Sequence, residues 1–476
     1  MAVIYSTNVE IPSFAGLNQT GDGYNMSMRY ATEMTNVDVT GGSFAPMRKG
    51  VAINQRLHSP INTVACLSRR FCANDEERNV LVAFSDGKVY TKILDKNDDW
   101  VMRYDGLSTD NVDYVTYEVH VGDDTIDVLL FTNAVDGMFC LYGDDLHVEN
   151  VPTPYKFGVL ERHHERIWGS GIKEYPDSLV YSAPYNPFDW EQNNDIPEDG
   201  AGEIMQPSWD GDSFVALRSF GSQLLAFKKK GIWKIVGTDP GVFSIREQYG
   251  GGTVEENTVA VGVGNVLMLG WGGLMRYDGS STQPFQHDAT SKLLQGRINE
   301  SAIHQATAIM MDSKRYMMAF PVDGSPVNNA VLEYDGTHAT FTLREDISVG
   351  TFLRVDNRVF YTSGKAPGML FELNGDGNVL PCEWRSGFQD LGIKSSVKSA
   401  FTIYFTADAE VPFELWLGIR TEKKLKRKTV KVKPGKAMRV NINVQGRYFR
   451  LELASDTSVP FSIPGGIKIA MELDPD

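Results

Sequence analysis

Two charge-dense stretches of the chain could bind a partner. Tyr185 to Glu203, YNPFDWEQNNDIPEDGAGE, sets Tyr185, Phe188 and Trp190 beside Asp189, Glu191, Asp195, Glu198, Asp199 and Glu203. Two prolines and a dense acid patch do not read as a strand, so the stretch reads as a projecting loop. It is either a solvated insertion or a contact surface for a neighbouring subunit, anchored by the three aromatics. The second stretch is basic: Lys423, Lys424, Lys426, Arg427, Lys428, Lys431, Lys433 and Lys436. Lys431 and Lys433 alternate with Val430 and Val432, which puts them on one solvent face of a strand, while KKLKRK reads as the preceding hairpin or loop. Three meanings stay open: an edge strand guarded against pairing by lysines, a dock for an acidic surface such as another subunit's acid-rich loop, or a direct DNA contact.

The patterns that usually carry catalysis are missing or incomplete. No G-x-x-x-x-G-K-[ST] occurs, Gly262-Val263-Gly264 lacks the third glycine of a dinucleotide fingerprint, and there is no G-x-S-x-G elbow. His163-His164-Glu165 is the nearest thing to a metal cluster, but neighbouring side chains on a strand point to opposite faces. Asn374-Gly375-Asp376-Gly377-Asn378 lacks the sixth-position glycine and the distal glutamate of a calcium loop, and reads as a turn. Ser85-Asp86-Gly87 misses the spacing and the tryptophan of an S-x-D-x-G-x-x-W box, although carboxylates paired from separate repeats stay possible. Cys66, Cys72, Cys140 and Cys382 form no C-x-x-C pair and sit in or beside apolar runs, as buried, reduced thiols do. No catalytic residue, metal ligand or cofactor is therefore assigned.

The elements that would position these groups are strands. VLVAFSDGKVYTKI from Val80 is an apolar run, a Ser-Asp-Gly turn and an alternating run, the pattern of a β-hairpin. Versions of it start at Val128, Ile167, Leu224, Val266, Tyr316 and Val359, a step of about 46 residues, the period of propeller blades. Phe84, Phe131, Trp168, Phe227, Trp233, Trp271, Phe320 and Phe371 read as packing between blades, or else as an aromatic ligand platform. Pro284 to Ile309 spaces Leu293, Leu294, Ile298 and Ile303 as a core-packed helix or a short helix on the rim would. After Glu383 come six alternating segments, from FTIYF at Phe401 to IKIAMEL at Ile467, the signature of a β-sandwich. The expected fold is all-β. Residues 1–60 form an irregular segment with a short helical piece at Met28 to Met34 and a strand-like Thr35 to Thr40; 61–382 form a β-propeller of about seven blades; 383–476 form a C-terminal β-sandwich.

Composition narrows the partners. Of 476 residues, 46 are Lys or Arg and 61 Asp or Glu, a net charge of −15 that excludes a surface gripping nucleic acid throughout. The imbalance is regional: the sandwich segment is net positive and everything before it strongly negative. The start, MAVIYSTNVEIPSF, lacks a basic lead into a long apolar stretch, and no run of about 18 apolar residues follows, so a soluble chain without an export signal is expected.

Both ends carry a resemblance. The phrase F-x-G-L at Phe14 to Leu17, followed by ATEMTNVDVTGGSFAPMRKGV from Ala31 to Val51, resembles the opening of tail and nozzle proteins of tailed bacteriophages, especially short-tailed ones. Asn36, Gly41 and Arg48 to Gly50 match that pattern, with Lys49 in place of the usual proline. WRSGFQDLG from Trp384, Val397-Lys398 and YFRLEL from Tyr448 resemble the C-terminal domain of the same proteins. The resemblance implies a structural, non-enzymatic virion protein of the phage tail, made in the host cytoplasm. It would be a nozzle-like homo-oligomer, a hexameric ring, bound to an adaptor beneath the portal, lining the DNA exit channel and retaining the packaged genome. Tail fibre or spike proteins are further partners. DNA would pass without sequence-specific binding, like charge discouraging it from sticking, and no membrane insertion by this chain is expected. Two alternatives stand beside it: a carbohydrate-binding or glycan-hydrolysing propeller of the tail, and a cellular propeller scaffold recognising a peptide.

Overall fold

The hairpin at Val80 is the second and third strand of a four-stranded sheet in the computed structural model of the chain, which describes residues 5–20, 23–53, 56–70, 78–205, 211–248, 250–285, 287–375 and 377–474. Strands Asn79–Ser85 and Lys88–Ile93 pair with Ser85 opposite Lys88, so the turn is two residues long. Asp86 and Gly87 both have positive φ, 56° and 71°, as a hairpin turn matching strand twist requires. Thr63–Ser68 and Val101–Asp105 flank the hairpin and complete blade 1.

Six further four-stranded antiparallel sheets follow, spanning 113–151, 159–205, 216–248, 260–284, 307–345 and 352–372 with a closing strand from elsewhere, so the propeller has seven blades. The repeat that is conspicuous in sequence belongs to the second strand of each blade. That strand is flanked by strands on both edges and by blades on both faces, so nearly every side chain is apolar: Val80, Val82 and Phe84 face the seam with blade 2, Leu81 and Ala83 the seam with blade 7. Six of the seven seams have a buried cluster of their own, and the seam between blades 5 and 6 is continuous with the core of the sandwich. Phe84, Phe131, Trp168, Phe227, Trp233 and Phe320 are buried in them and Phe371 packs at the blade 6/7 seam, as expected of inter-blade aromatics. Trp271 differs. It sits in the turn after Asn265–Gly270, is 76% exposed and donates its indole N–H to the Lys229 carbonyl at 3.2 Å.

Residues 1–60 carry strands rather than irregular chain. Tyr5–Ile11 pairs with Ile467–Asp474 at one edge of a four-stranded sheet, and Ala31–Thr35 pairs with Cys382–Ser386 at one edge of a five-stranded sheet. These two sheets are the C-terminal sandwich. Val51–Ala52 pairs with Leu370–Glu372 as the outermost strand of blade 7 and closes the ring. The helical piece expected at Met28 to Met34 is replaced by the Ala31–Thr35 strand, since the open edge of Cys382–Ser386 offers a ladder that a lone helical turn cannot match. In the 284–309 region a helix does form, His287–Arg297, with Leu293 and Leu294 packed into the core. Among the described residues no helix is long and apolar enough to cross a membrane.

Sandwich and propeller meet at blade 6. Leu17 N–H donates to the Phe341 carbonyl at 2.6 Å, and a β-carbon at Gly16 would overlap that carbonyl, so only glycine lets the chains approach. Asn36, 1% exposed with φ 56°, donates its N–H to Leu343 O at 2.8 Å and its Nδ2 to Pro381 O at 2.9 Å. Its Oδ1 accepts the Glu345 N–H at 2.7 Å and its carbonyl the Met47 N–H at 2.9 Å.

Removing the Asn36 side chain leaves two partly buried backbone groups, the Pro381 carbonyl and the Glu345 N–H, without their partner. Asn36→Ala should cost about 2 to 4 kcal/mol, because the unpaired groups add to the strain of an L side chain at positive φ. Asn36→Gly keeps the conformation and should be about 1 kcal/mol milder. Thermal and denaturant unfolding of both variants reads this order; an alanine variant as stable as the parent would remove Asn36 from the joint.

Candidate functional site

The acid stretch is an ordered ledge between the third and fourth strands of blade 3, Ser178–Tyr181 and Gly202–Met205. Arg166, buried in the neighbouring strand, donates Nη1 to the carbonyls of Ser182 and Gly200, each at 2.7 Å, and Nη2 to the carbonyl of Glu198. One guanidinium thus holds both ends of the loop. Burial lowers the Arg166 pKa, and Tyr181, Asp239 and Asp199 pull it back up. Asn193 Oδ1 accepts the N–H groups of Asp195 and Ile196, and Pro197–Asp199 makes one 3-10 turn.

Phe188 and Trp190 turn inward. Trp190 packs 5.0 Å from Phe157 and donates to the Pro187 carbonyl, and Phe188 stacks on Tyr142. They anchor the ledge to its own molecule. Tyr185 stays 71% exposed, held at φ 59° with its N–H on the Glu165 carbonyl. Glu191, Asp195, Glu198 and Asp199 are exposed, and among the described residues their carboxylates take no hydrogen bond or ion pair. Asp189 caps the Glu191 N–H, and Glu203 accepts the hydroxyls of Tyr155 and Ser178.

The basic stretch forms the far edge of the five-stranded sheet. Strand Leu425–Val432 pairs with Phe413–Thr421 and presents its other edge to solvent. The strand starts at Leu425, earlier than the sequence suggested, so Lys426, Arg427 and Lys428 lie within it and only Lys423 and Lys424 in the turn. Once Phe413–Thr421 supplied a full-length partner, the alternation of charge and β-branching extended the ladder. Lys426 and Lys428 lie opposite Ile419 and Leu417, on the core-facing side, yet are exposed because the strand overhangs the core. Arg427 is committed to Glu452 at 3.2 Å and Glu383 at 3.5 Å. Burial pushes the Glu452 carboxyl up, but hydrogen bonds from Arg420 and Arg427 and the charge of Arg450 hold it below the usual range. Lys423, Lys424, Lys426, Lys428, Lys431 and Lys433 are exposed without an ion pair among the described residues.

A third site was hidden in the sequence. The innermost strands and the loops leading into them enclose a central cavity of about 750 Å³ to which all seven blades contribute, with Asp113, Glu161, Arg218, Glu255, Glu256 and His304 on its wall. Burial pushes Glu161 up to about 7, against the pull of Arg218; burial and then Glu256 push Glu255 up to about 8. Asp113 is raised by burial too, while its carboxylate accepts the Leu160 N–H at 2.9 Å. Asp113 and Glu161 come from blades 2 and 3 and the Glu255-Glu256 pair from the entry to blade 5, so no spacing in the sequence reveals the group.

The remaining candidates do not converge. His163 is buried against Ser219 Oγ at 2.8 Å, and burial lowers its pKa to about 4; His164 and Glu165 are the turn residues beyond it. Asn374 Oδ1 accepts Arg344 Nη2 at 2.8 Å, and Asp376 lies outside the described residues. Asp86 and Gly87 donate their N–H groups to Asp110. Cys66, Cys140 and Cys382 are free thiols raised by burial, Cys66 and Cys382 to about 12, and Cys72 lies outside the described residues. Sequence reasoning passed over Asp144, Asp145 and His147, whose ligand atoms lie within 4.8 Å of one another on an exposed turn.

Folded Glu161 and Glu255 hold protons that the unfolded chain releases near 4.5, so their contribution is full below that pH and is lost as pH rises through about 7 and 8. A Glu161→Gln/Glu255→Gln variant should melt higher than the parent at about pH 9 and close to it near pH 5. Equal melting temperatures at the alkaline end would show these carboxyls to be fully solvated.

No family model matches the chain, and no curated protein does. Solved structures do. One is the crystal structure of BBS1N in complex with ARL6DN, soaked with lead, at 9% identity and TM-score 0.43 over 69% of this chain and 98% of that one. The crystal structure of BamB from Moraxella catarrhalis matches at 9% and 0.40, covering 70% and 98%. The Neurospora crassa Pan2 WD40 domain matches at 10% and 0.38, covering 70% and 96%.

Proposed function

We propose that this chain is a structural component of a bacteriophage tail, a nozzle-like ring protein beneath the portal and adaptor that lines the DNA exit channel and retains the genome. One observation carries the reading: the residues of the two resembling segments, far apart in sequence, belong to a single joint. Phe14 of F-x-G-L stands edge-on to Trp384 of WRSGF at 5.2 Å, Gly16 and Leu17 lie against Phe341, and Asn36 ties Pro381 to blade 6. Arg344, buried in blade 6, donates Nη1 to the Arg48 carbonyl at 2.7 Å. Phe14, Gly16, Leu17, Asn36, Arg48 and Trp384 among the matching residues thus lie where a sandwich is clamped to a propeller, as a shared two-part frame would need. A tail part must also bear the load of a pressurised genome, and a joint of buried hydrogen bonds suits that role.

The cavity favours a second reading, a propeller acting on glycans. A carboxyl whose pKa burial pushes up to about 7, as at Glu161, holds a proton over part of the neutral range and can serve as a general acid beside an ionised partner. Glycan turnover that Glu161→Gln abolishes would select that reading.

Quantitative mass spectrometry of gradient-purified particles, with the portal protein as internal ruler, tests the tail role. One copy for every two of a dodecameric portal is expected, and absence from the particles would sink it.

A further inference from the structure

Two exposed surfaces, most of whose charges take no ion pair among the described residues, are opposite in sign and belong to different domains. Asp189 to Glu203 holds six acids and no cation; Lys423 to Lys436 holds eight cations and no acid. The ledge belongs to blade 3. The sandwich is clamped to blade 6, three blades further round, and the lysine strand is the edge of its five-stranded sheet furthest from the clamped strand Ala31–Thr35. Surfaces so placed can satisfy each other between copies.

We propose that the chain associates head to tail with itself, Lys426 and Lys428 of one copy, which share one face of the edge strand, seating on Glu191, Asp195 and Glu198 of the next. The ledge is set for this by Arg166, which fixes the backbone under the acids, so docking costs little ordering entropy. Tyr185, exposed beside the acids, supplies the flat amphipathic contact that interface centres favour. The same lysines repel their own kind, which prevents two edge strands from pairing and leaves the acidic ledge as the complementary surface. A contact between two unlike patches is heterologous, and it closes into a ring when the rotation per copy allows. The contact deepens the tail-ring role proposed above, and rests on that role only for the ring's place in the particle.

Charge exchange tests it on the full-length protein. One variant carries Lys426→Glu and Lys428→Glu, sparing Lys431 because it lies opposite Glu414; the other carries Glu191→Lys, Asp195→Lys and Glu198→Lys, sparing Asp199 because its charge supports Arg166. In sedimentation velocity at low salt the parent should run as an oligomer that dissociates as salt rises. Each variant alone should lose the oligomer boundary while keeping the parent's melting temperature. Mixed in equal amounts they should assemble again, because each now offers the other two complementary patches. A monomeric parent at low salt, variants that assemble unaided, or a mixture that stays monomeric would each overturn the contact. A parent oligomer indifferent to both variants would leave the tail-ring role standing and remove this interface from it.

Discussion

Asn36 obliges three separate pieces of the chain to meet. Its backbone and amide make four hydrogen bonds at a position only 1% exposed, to blade 6, to the N-terminal segment and to the link entering the sandwich. A buried amide with all partners present is rigid, and one with a partner missing is costly, so the joint forms as a unit. Arg344 extends it by reaching the Arg48 carbonyl, Glu333 and Asn374. The N-terminal strands can then complete both sandwich sheets and close blade 7, and the sandwich holds its lysine edge away from the propeller.

Around that joint the molecule sorts its charges by burial. Lys228, with no exposed surface, is paired to Asp177 and lies between the rings of Phe214 and Trp233, at 4.5 and 4.9 Å. Arg344 and Glu452 are likewise ion-paired where they are buried, and Arg166 gives both Nη groups to carbonyls while its Nε has no partner among the described residues. Charges that hold the fold are paired, while those of the ledge and the lysine edge face water. The cavity acids are a third case, shielded from bulk water yet short of cations, which is why burial raises Glu161 and Glu255.

Much of the propeller could be read from the chain because the second strand of each blade is buried on both faces, and unbroken runs such as Val80 to Phe84 follow from that. The inner strands were harder to see, since a cavity wall wants polar side chains and the runs break up. Tyr5–Ile11 and Ala31–Thr35 were not legible as strands, because their partners lie several hundred residues away and β-pairing depends on the partner more than on intrinsic preference. Tyr185, Phe188 and Trp190 look alike as loop aromatics; contact with Tyr142 and Phe157 of other elements is what turns two of them inward.

The repeat, the all-β class, the alternating strands of the sandwich and the two patches of opposite charge can all be read from the chain. Each of these is written in neighbouring residues, where periodicity and composition act locally. Packing in three dimensions settled how the N-terminal strands complete both domains, which acids share the central cavity, which cations are already paired and which loop aromatics turn inward. Those outcomes depend on groups remote in sequence brought to within a few ångströms, and no local pattern encodes such a distance.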